Sequence, residues 1–214
     1  MLYTSHLQYS YSGGRPLQFP DIRLGQGEHW LMLGQSGSGK TTLLHLIGGL
    51  LSPSAGHIQL GDVAMETLHG RALDRFRGQH IGIVFQKPHF IRALSVEENL
   101  ILAQTLAGNA PDRSRIDALT ERLGIAHKRH SRPAQLSAGE QQRAAIARAL
   151  VNRPLLILAD EPSSALDDHN AREVADLLEE QATAAQATLL IVTHDNRLKS
   201  RFPNQISLQP NHSA

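Results

Sequence analysis

The sequence predicts an α/β fold in which a mainly parallel sheet carries a glycine-rich loop. Continuous apolar runs such as Leu155–Ala159 and Thr188–Thr193 are typical of strands that are buried on both faces. Helix-like segments alternate with these runs, and such alternation is typical of a parallel sheet with covered faces. A glycine-rich stretch, Gly34–Thr42, stands between an apolar run and a helix-like segment, which is the order expected at a phosphate-binding site.

The elements outside the middle of the chain follow from apolar runs and turn residues. Leu2–Tyr11 and Phe19–Leu24 are strand candidates, and Gly25–Gly27 is a turn before the strand that enters the glycine-rich loop. A helix follows the loop over Thr41–Leu51. The remaining predicted elements are strands at His57–Leu60, Ile81–Phe85, Leu155–Ala159, Thr188–Thr193 and, more weakly, Gln205–Leu208, and helices at Ala72–Arg77 and Asn170–Ala184.

The sequence pattern in the middle of the chain predicts helices and no strands. Ser95–Glu98 is a capping box, a serine followed three residues later by glutamate, and it begins a helix that ends near Leu106. Asp112 caps a second helix through Leu123, and Ser137–Glu140 is a second capping box before a helix from Glu140 to about Asn152. The sequence therefore predicts a helical subdomain over residues 90–150, inserted within a single domain that spans 1–214.

The glycine-rich stretch fits the phosphate-binding pattern G-x-x-x-x-G-K-[ST]. Glycines let the backbone fold tightly around a phosphate, and the N–H groups at the following helix N-terminus attract negative charge. Lys40 is expected to reach the β- and γ-phosphates, and the Thr41 hydroxyl to bind Mg²⁺. The predicted ATP-binding residues of this loop are Gly34, Gln35, Ser36, Gly37, Ser38, Gly39, Lys40, Thr41 and Thr42.

Two acidic residues, Asp160 and Glu161, end the apolar run Leu155–Ala159. Ligands bind at the carboxyl ends of the strands in open α/β sheets, so these acids are expected near the phosphate-binding loop. Asp160 is predicted to hold Mg²⁺, and Glu161 to orient or deprotonate the attacking water. Without the glycine-rich loop, the same two acids would indicate only a cap on the turn before Pro162.

Composition excludes several other classes of protein. The 214 residues include 21 Lys and Arg against 20 Asp and Glu, a net charge of +1 that gives no global reason to expect nucleic acid. The absence of Cys excludes disulfides and thiolate metal sites. No stretch approaches the ~20 apolar residues of a membrane span, and no signal peptide is expected, so any membrane-spanning part belongs to another chain.

Leu136–Arg143 resembles the signature sequence of ATP-binding cassette (ABC) ATPases, and further elements fall in that family's order. Tyr11 resembles the aromatic residue that stacks on adenine, although Tyr9 is a neighbouring alternative. Gln86 resembles the glutamine of the Q-loop, and His194 the switch histidine. Ser164–Asp167 resembles the D-loop. The resemblance implies a P-loop ATPase core of the ABC type, with a mainly parallel sheet, an N-terminal antiparallel β part and an inserted helical subdomain.

The resemblance also implies roles for these residues. Glu161, His194 and Lys40 would be catalytic, and Gln86 would join Thr41 and Asp160 at the Mg²⁺. Ser137 and Gly139 would contact the γ-phosphate held by a second chain, so that two chains sandwich two ATP molecules head to tail. The signature departs from the usual pattern at Ala138 and Glu140; the first usually reads Gly, and the second usually reads Gln.

In particular, the chain resembles ATPases of the lipoprotein-release and macrolide-export type. The residues that carry this resemblance are Leu73–Arg77, Ile81–Gln86, Arg132–Ser137 and Gln142–Leu150. It implies a cytoplasmic subunit on the inner face of the cell membrane, attached to a separate integral-membrane permease that contacts Lys87–Leu94. An ATPase of an amino-acid importer and a soluble ABC-type ATPase of DNA maintenance remain alternatives. The sequence does not determine the transported substrate, the direction of transport, the permease, or whether the dimer contains two identical chains.

Overall fold

The computed structural model describes residues 1–12, 15–162, 168–195 and 198–209. A five-stranded parallel sheet forms the centre of the fold, in the order β10-β4-β9-β8-β7. Strand β4 (His29–Gly34) lies between two strands from the C-terminal third of the chain. The other strands are β7 (Ile81–Val84), β8 (Leu156–Asp160), β9 (Thr188–Thr193) and β10 (Asn204–Leu208).

A second, antiparallel sheet contains the N-terminal strands. The central β1 (Leu2–Tyr9) pairs with β2 (Leu17–Gln18), β3 (Ile22–Leu24) and β5 (Ala55–Leu60), and β5 pairs with β6 (Val63–Ala64). The strand predicted at Phe19–Leu24 is present but shorter, since β3 begins only at Ile22, after Pro20, which has no N–H to donate to a ladder. The predicted combination of a parallel sheet and an antiparallel N-terminal part is confirmed.

The parallel sheet has a hydrophobic core on each face. Alternate side chains of each strand point to opposite faces, so β8 contributes Ile157 and Ala159 to one core and Leu156 and Leu158 to the other. One core contains the helices between residues 96 and 185, and the other contains the helix of residues 40–47 and the antiparallel sheet. Burial on both faces explains why β8 and β9 consist mostly of apolar residues at successive positions, since every residue of these two strands is buried.

Three helices of the middle segment begin at the predicted caps. Ser95 Oγ accepts a hydrogen bond from Glu98 N and completes a capping box before α3 (Val96–Leu106), and Asp112 accepts from Arg115 N before α4 (Arg113–Arg122). The third helix, α5 (Ala138–Leu150), begins two residues before the predicted Glu140 because Ser137 is the cap and Glu140 is already the third helical residue. The 90–150 boundary of a subdomain stays a prediction.

The remaining helices flank the sheet. They are α1 (Lys40–Ile47), α2 (Arg71–His80) and α6 (Asp168–Ala185); α2 is longer at both ends than predicted. No helix in the described ranges combines the length and the apolarity that a membrane span needs. The predicted D-loop, Ser164–Asp167, lies outside the described residues.

Candidate functional site

The glycine-rich loop connects the end of β4 to the start of α1. Gly37 and Gly39 have φ angles of +81° and +91°, a left-handed conformation that residues with a Cβ rarely adopt. At Gly34, an added Cβ would lie 2.5 Å from Ser38 Oγ and 2.9 Å from the Leu208 carbonyl oxygen. Glycine is therefore required at all three positions, for conformation at two of them and for space at the third.

The Lys40 side chain is hydrogen-bonded to the glycine-rich loop. Its Nζ donates hydrogen bonds to the carbonyl oxygens of Gly34, at 2.7 Å, and Gln35, at 3.0 Å. Only 7% of the residue is exposed. The ammonium group therefore lies at the mouth of the loop, where phosphate oxygens would compete with the two carbonyl oxygens for its protons.

A cavity of about 1140 Å³ opens above this loop, large enough for a nucleotide. It brings together most of the predicted site residues: Tyr11, Gly34, Gln35, Ser36, Gly37, Gly39, Lys40, Thr41, Thr42, Gln86, Glu161 and His194. The cavity wall does not include Ser38, Asp160, Ser137 or Gly139. Lys199 and Ser207 line it as well, and no motif in the sequence indicated either residue.

Asp160 lies behind Thr41 at the end of β8. The Thr41 hydroxyl donates a hydrogen bond to Asp160 Oδ1 at 3.3 Å. Burial raises the pKa of the Asp160 carboxyl, and the Thr41 hydrogen bond opposes that shift. The pair offers a hydroxyl and a carboxylate, the hard oxygen ligands that Mg²⁺ prefers, and Mg²⁺ sites often have only one or two protein ligands. These two residues therefore fit a magnesium ion that is also bound by phosphate.

The pKa shift of Asp160 predicts how stability depends on pH. Because the folded pKa is raised, the folded chain binds more protons than the unfolded chain between the two values, and the free energy of unfolding falls as pH rises through that interval. We expect Asp160→Asn to raise the melting temperature at neutral pH with a chelator present. This gain in melting temperature should vanish at pH values below the ordinary pKa of aspartate. The exposed Asp62→Asn is the control, and a lower melting temperature for Asp160→Asn at neutral pH would contradict the assignment.

Glu161 is fixed by its backbone and by two neighbours. Its φ of +46° is unusual for a residue with a Cβ, and such strain concentrates at functional sites. The carboxylate accepts hydrogen bonds from Thr193 Oγ1 at 2.9 Å and from His194 Nδ1 at 2.8 Å. The His194 backbone N–H also donates to it, at 3.1 Å. The ends of β8 and β9 thus place an acid and a histidine side by side at the edge of the cavity.

Thr193 is a site residue that the sequence analysis missed. Its hydroxyl donates to Glu161 and accepts a hydrogen bond from Asp195 N at 3.0 Å. The available signal was its position as the last residue of a buried apolar strand, directly before His194. Because β8 and β9 are parallel neighbours, residues that end them meet at one edge of the sheet.

Tyr11, rather than Tyr9, reaches the cavity. The Tyr11 hydroxyl is hydrogen-bonded to Thr42 Oγ1 at 2.9 Å, and half of the residue is exposed. Tyr9 packs against the core below and meets the Tyr11 ring edge-on, with ring centroids 4.8 Å apart. The position of Tyr11 is compatible with stacking on a base, and its role stays a prediction.

The signature residues lie at the N-terminus of α5, away from the cavity. Ser137 Oγ accepts from Glu140 N at 3.2 Å, and Glu140 Oε2 accepts from Ser137 N at 2.8 Å. Gly139 has open space around its Cα, since nothing lies within 4 Å of the position of an added Cβ. This helix end is therefore exposed and free to meet another molecule, whereas it contributes nothing to the chain's own cavity.

Comparison with known proteins agrees with these features. The family model described as "ABC transporter" matches residues 17–164. The lipoprotein-releasing system ATP-binding protein LolD of Pseudomonas fluorescens is 40% identical over 194 residues, covering 89% of this chain and 85% of that protein. LolD of Treponema pallidum is 44% identical over 178 residues, covering 82% of this chain and 79% of that protein.

Solved structures show the same relationship. The dimeric structure of the bacterial ABC transporter cassette MJ0796 superposes with a TM-score of 0.88 at 30% identity, over 98% of this chain and 95% of that chain. A post-hydrolysis dimeric structure of the same cassette, bound to ADP and Pi, gives the same TM-score over 99% and 97%. The predicted family, fold and ATPase class are confirmed: the chain belongs to the ABC transporter family as an ATP-binding, ATP-hydrolysing subunit.

Proposed function

We propose that this chain hydrolyses Mg·ATP to drive a separate integral-membrane permease of the export or lipoprotein-release type. The proposal is supported by relatives named LolD, which match most of the chain. As such a subunit it would be cytoplasmic and bound to the inner face of the cell membrane through its permease. We expect no nucleic-acid partner.

The catalytic part of this proposal rests on the position of Glu161, which lies between Thr193, His194 and the phosphate-binding loop. The carboxylate accepts three hydrogen bonds, which fix its two oxygens at the edge of the cavity. In the proposed mechanism Glu161 orients the attacking water and takes its proton. His194 holds that carboxylate and the γ-phosphate, and Lys40 binds the β- and γ-phosphates.

Thr41, Asp160 and Gln86 would hold the magnesium ion. Thr41 and Asp160 are already hydrogen-bonded to each other, and Gln86 lines the same cavity. A bound Mg²⁺ would supply positive charge that offsets the negative charge of the phosphate oxygens. The loop residues contribute backbone N–H groups to the phosphates, and Tyr11 contributes a face for the adenine.

The separation of the signature from the cavity favours a dimer as the active form. Ser137 and Gly139 lie at an exposed helix N-terminus, whose N–H groups and dipole favour an anion. We propose that this helix end contacts the γ-phosphate bound by a second chain, either an identical chain or a homologue. Two ATP molecules would then lie between two chains arranged head to tail.

This role predicts different results for two matched serine variants. Ser137 and Ser95 both complete capping boxes, so replacing either by Ala should cost about 1 kcal/mol of stability. Only Ser137→Ala is expected to reduce ATP-dependent dimerisation and ATPase activity beyond that loss. Chemical denaturation and steady-state hydrolysis would measure both effects, and equal activity of the two variants would contradict a role for Ser137 in the dimer.

The segment Lys87–Leu94 offers a surface to the permease. Phe90 is covered by the Arg148 guanidinium, 5.0 Å from the ring centroid, whereas Ile91 is half exposed. The Asn99 side-chain amide accepts a hydrogen bond from the Ile91 backbone N–H and donates one to the Ile91 carbonyl oxygen. A backbone held in this way, with an exposed apolar side chain five residues after Gln86, suits the transmission of a movement between a membrane partner and the nucleotide site.

The test is to identify the membrane partner. Tagged Glu161→Gln chain would be extracted from native membranes with Mg·ATP, and the co-purifying proteins compared with those of a Lys40→Ala control. A permease with few spans and a large extracytoplasmic domain supports the proposal. A compact permease with a solute-binding protein would instead assign an importer, and soluble or DNA-associated partners alone would overturn the transporter role.

A further inference from the structure

A second pocket, of about 220 Å³, is lined by basic side chains and lies between α4, α6 and the end of α5. Its wall includes Arg115, Arg122, Arg153, Leu150 and Gln181. It shares no lining residue with the nucleotide cavity. Nothing in the proposed ATPase mechanism uses these residues.

Three guanidinium groups converge here from two parts of the chain. Arg115 and Arg122 are seven positions apart on α4, which places them on the same face of the helix. Arg153 follows the end of α5 and has a φ of +53°. Within the described ranges none of the three forms an ion pair with an acid. No ion pair among the described residues therefore neutralises these three guanidinium groups, and the acid whose charge acts on Arg115 is Asp112, in the cap of α4.

The pocket also has more hydrogen-bond donors than acceptors. Arg115 Nη2 donates to the Leu150 carbonyl oxygen at 3.2 Å, and the same oxygen accepts from Arg153 N at 3.0 Å. Arg115 Nε is buried and has no hydrogen-bond partner. Gln181, only 3% exposed, adds an amide to the wall. A buried donor without an acceptor is costly, so an acceptor-rich group in the pocket would stabilise it.

The charges in the pocket repel one another. Burial, followed by the charges of Arg153 and Arg122, lowers the pKa of the Arg115 guanidinium, while Asp112 acts in the opposite direction. Asp112 belongs to the cap of α4, where its carboxylate accepts from Arg115 N. An anion between the guanidinium groups would replace this repulsion with attraction.

We propose that this pocket binds a phosphate group, either free or at the end of a larger molecule such as an anionic lipid. Guanidinium groups match the geometry of phosphate oxygens through pairs of parallel hydrogen bonds. The volume is below that of pockets for whole drug-sized ligands, which excludes a complete nucleotide. A bound phosphate would tie α4 to the segment after α5 and to α6.

The first arm of the test titrates inorganic phosphate into the full chain by calorimetry. The titrations would be made in a Lys40→Ala background, which weakens phosphate binding at the glycine-rich loop. Arg122→Gln and Arg153→Gln change exposed residues of the pocket, and Arg71→Gln on α2 is a control with the same charge change. We expect the dissociation constant for phosphate to rise by about tenfold or more in the two pocket variants. Arg71→Gln should bind phosphate as its parent does.

The second arm distinguishes a lipid source from free phosphate. The same variants would be sedimented with vesicles containing phosphatidic acid and with vesicles of phosphatidylcholine alone. Binding to phosphatidic acid that is lost in Arg122→Gln and Arg153→Gln, but retained in Arg71→Gln, would identify a lipid headgroup as the ligand. Equal behaviour of pocket and control variants in both arms would overturn the proposal.

Discussion

Glu161→Gln is expected to lower the rate of ATP hydrolysis by about 10²- to 10⁴-fold, the usual contribution of a general base. The amide keeps the shape of the side chain and can still accept from Thr193 or His194, so the fold and the ATP site should persist. Steady-state hydrolysis and equilibrium ATP binding would be measured on the same preparation. We expect unchanged or tighter ATP binding and an ATP-dependent closed dimer.

The matched control is Glu66→Gln. Glu66 is paired with His57 at the surface and does not line the nucleotide cavity, so this variant should hydrolyse ATP at the parent rate. If Glu161→Gln also hydrolyses ATP at that rate, Glu161 is not the base. The assignment would then have to move to another group at the cavity edge.

Lys40→Ala should lose most of the affinity for ATP. Hydrogen bonds to charged groups contribute about 1.5–3 kcal/mol, which corresponds to roughly 10- to 150-fold in the dissociation constant. The ammonium group now bonds to the Gly34 and Gln35 carbonyl oxygens, and its loss also leaves these acceptors to water. Equilibrium titration with a fluorescent ATP analogue would measure the change.

Lys128→Ala serves as the control for this lysine. Lys128 does not line the nucleotide cavity, and its Nζ lies 3.8 Å from Glu140 Oε1 in a partly exposed ion pair that contributes little to stability. We expect it to bind ATP as the parent does. Unchanged binding by Lys40→Ala itself would remove the phosphate-binding interpretation of the loop.

Residues that act within one stretch of chain could be predicted from the sequence. The glycine-rich loop, the capping boxes at Ser95 and Ser137, and the acids after β8 each combine a local pattern with a local physical cause. Such features do not depend on distant partners, because caps and tight turns are satisfied by atoms only a few residues away. The apolar strands of the parallel sheet could also be predicted, because a short apolar run indicates a buried strand without showing which strands pair.

Contacts between distant segments could not be predicted in the same way. The hydrogen bonds of Glu161 with Thr193 and His194 depend on the adjacency of β8 and β9, and the basic pocket depends on α4 packing near the end of α5. Nothing near Arg115 in the sequence indicates that Arg153 lies close to it. The start of an element also differed from the prediction where a single residue affected it, since the strand expected from Phe19 begins at Ile22, after Pro20.

The pairing of β10 with β4 has a consequence for synthesis on the ribosome. The strand that leads into the glycine-rich loop pairs with residues 204–208, and the Leu208 carbonyl oxygen lies against Gly34. A nascent chain that lacks these residues has an unfinished sheet edge beside the loop. Parallel pairing over such a separation forms slowly. We infer that the nascent chain carries an exposed strand edge beside the loop until residues 204–208 have emerged from the ribosome.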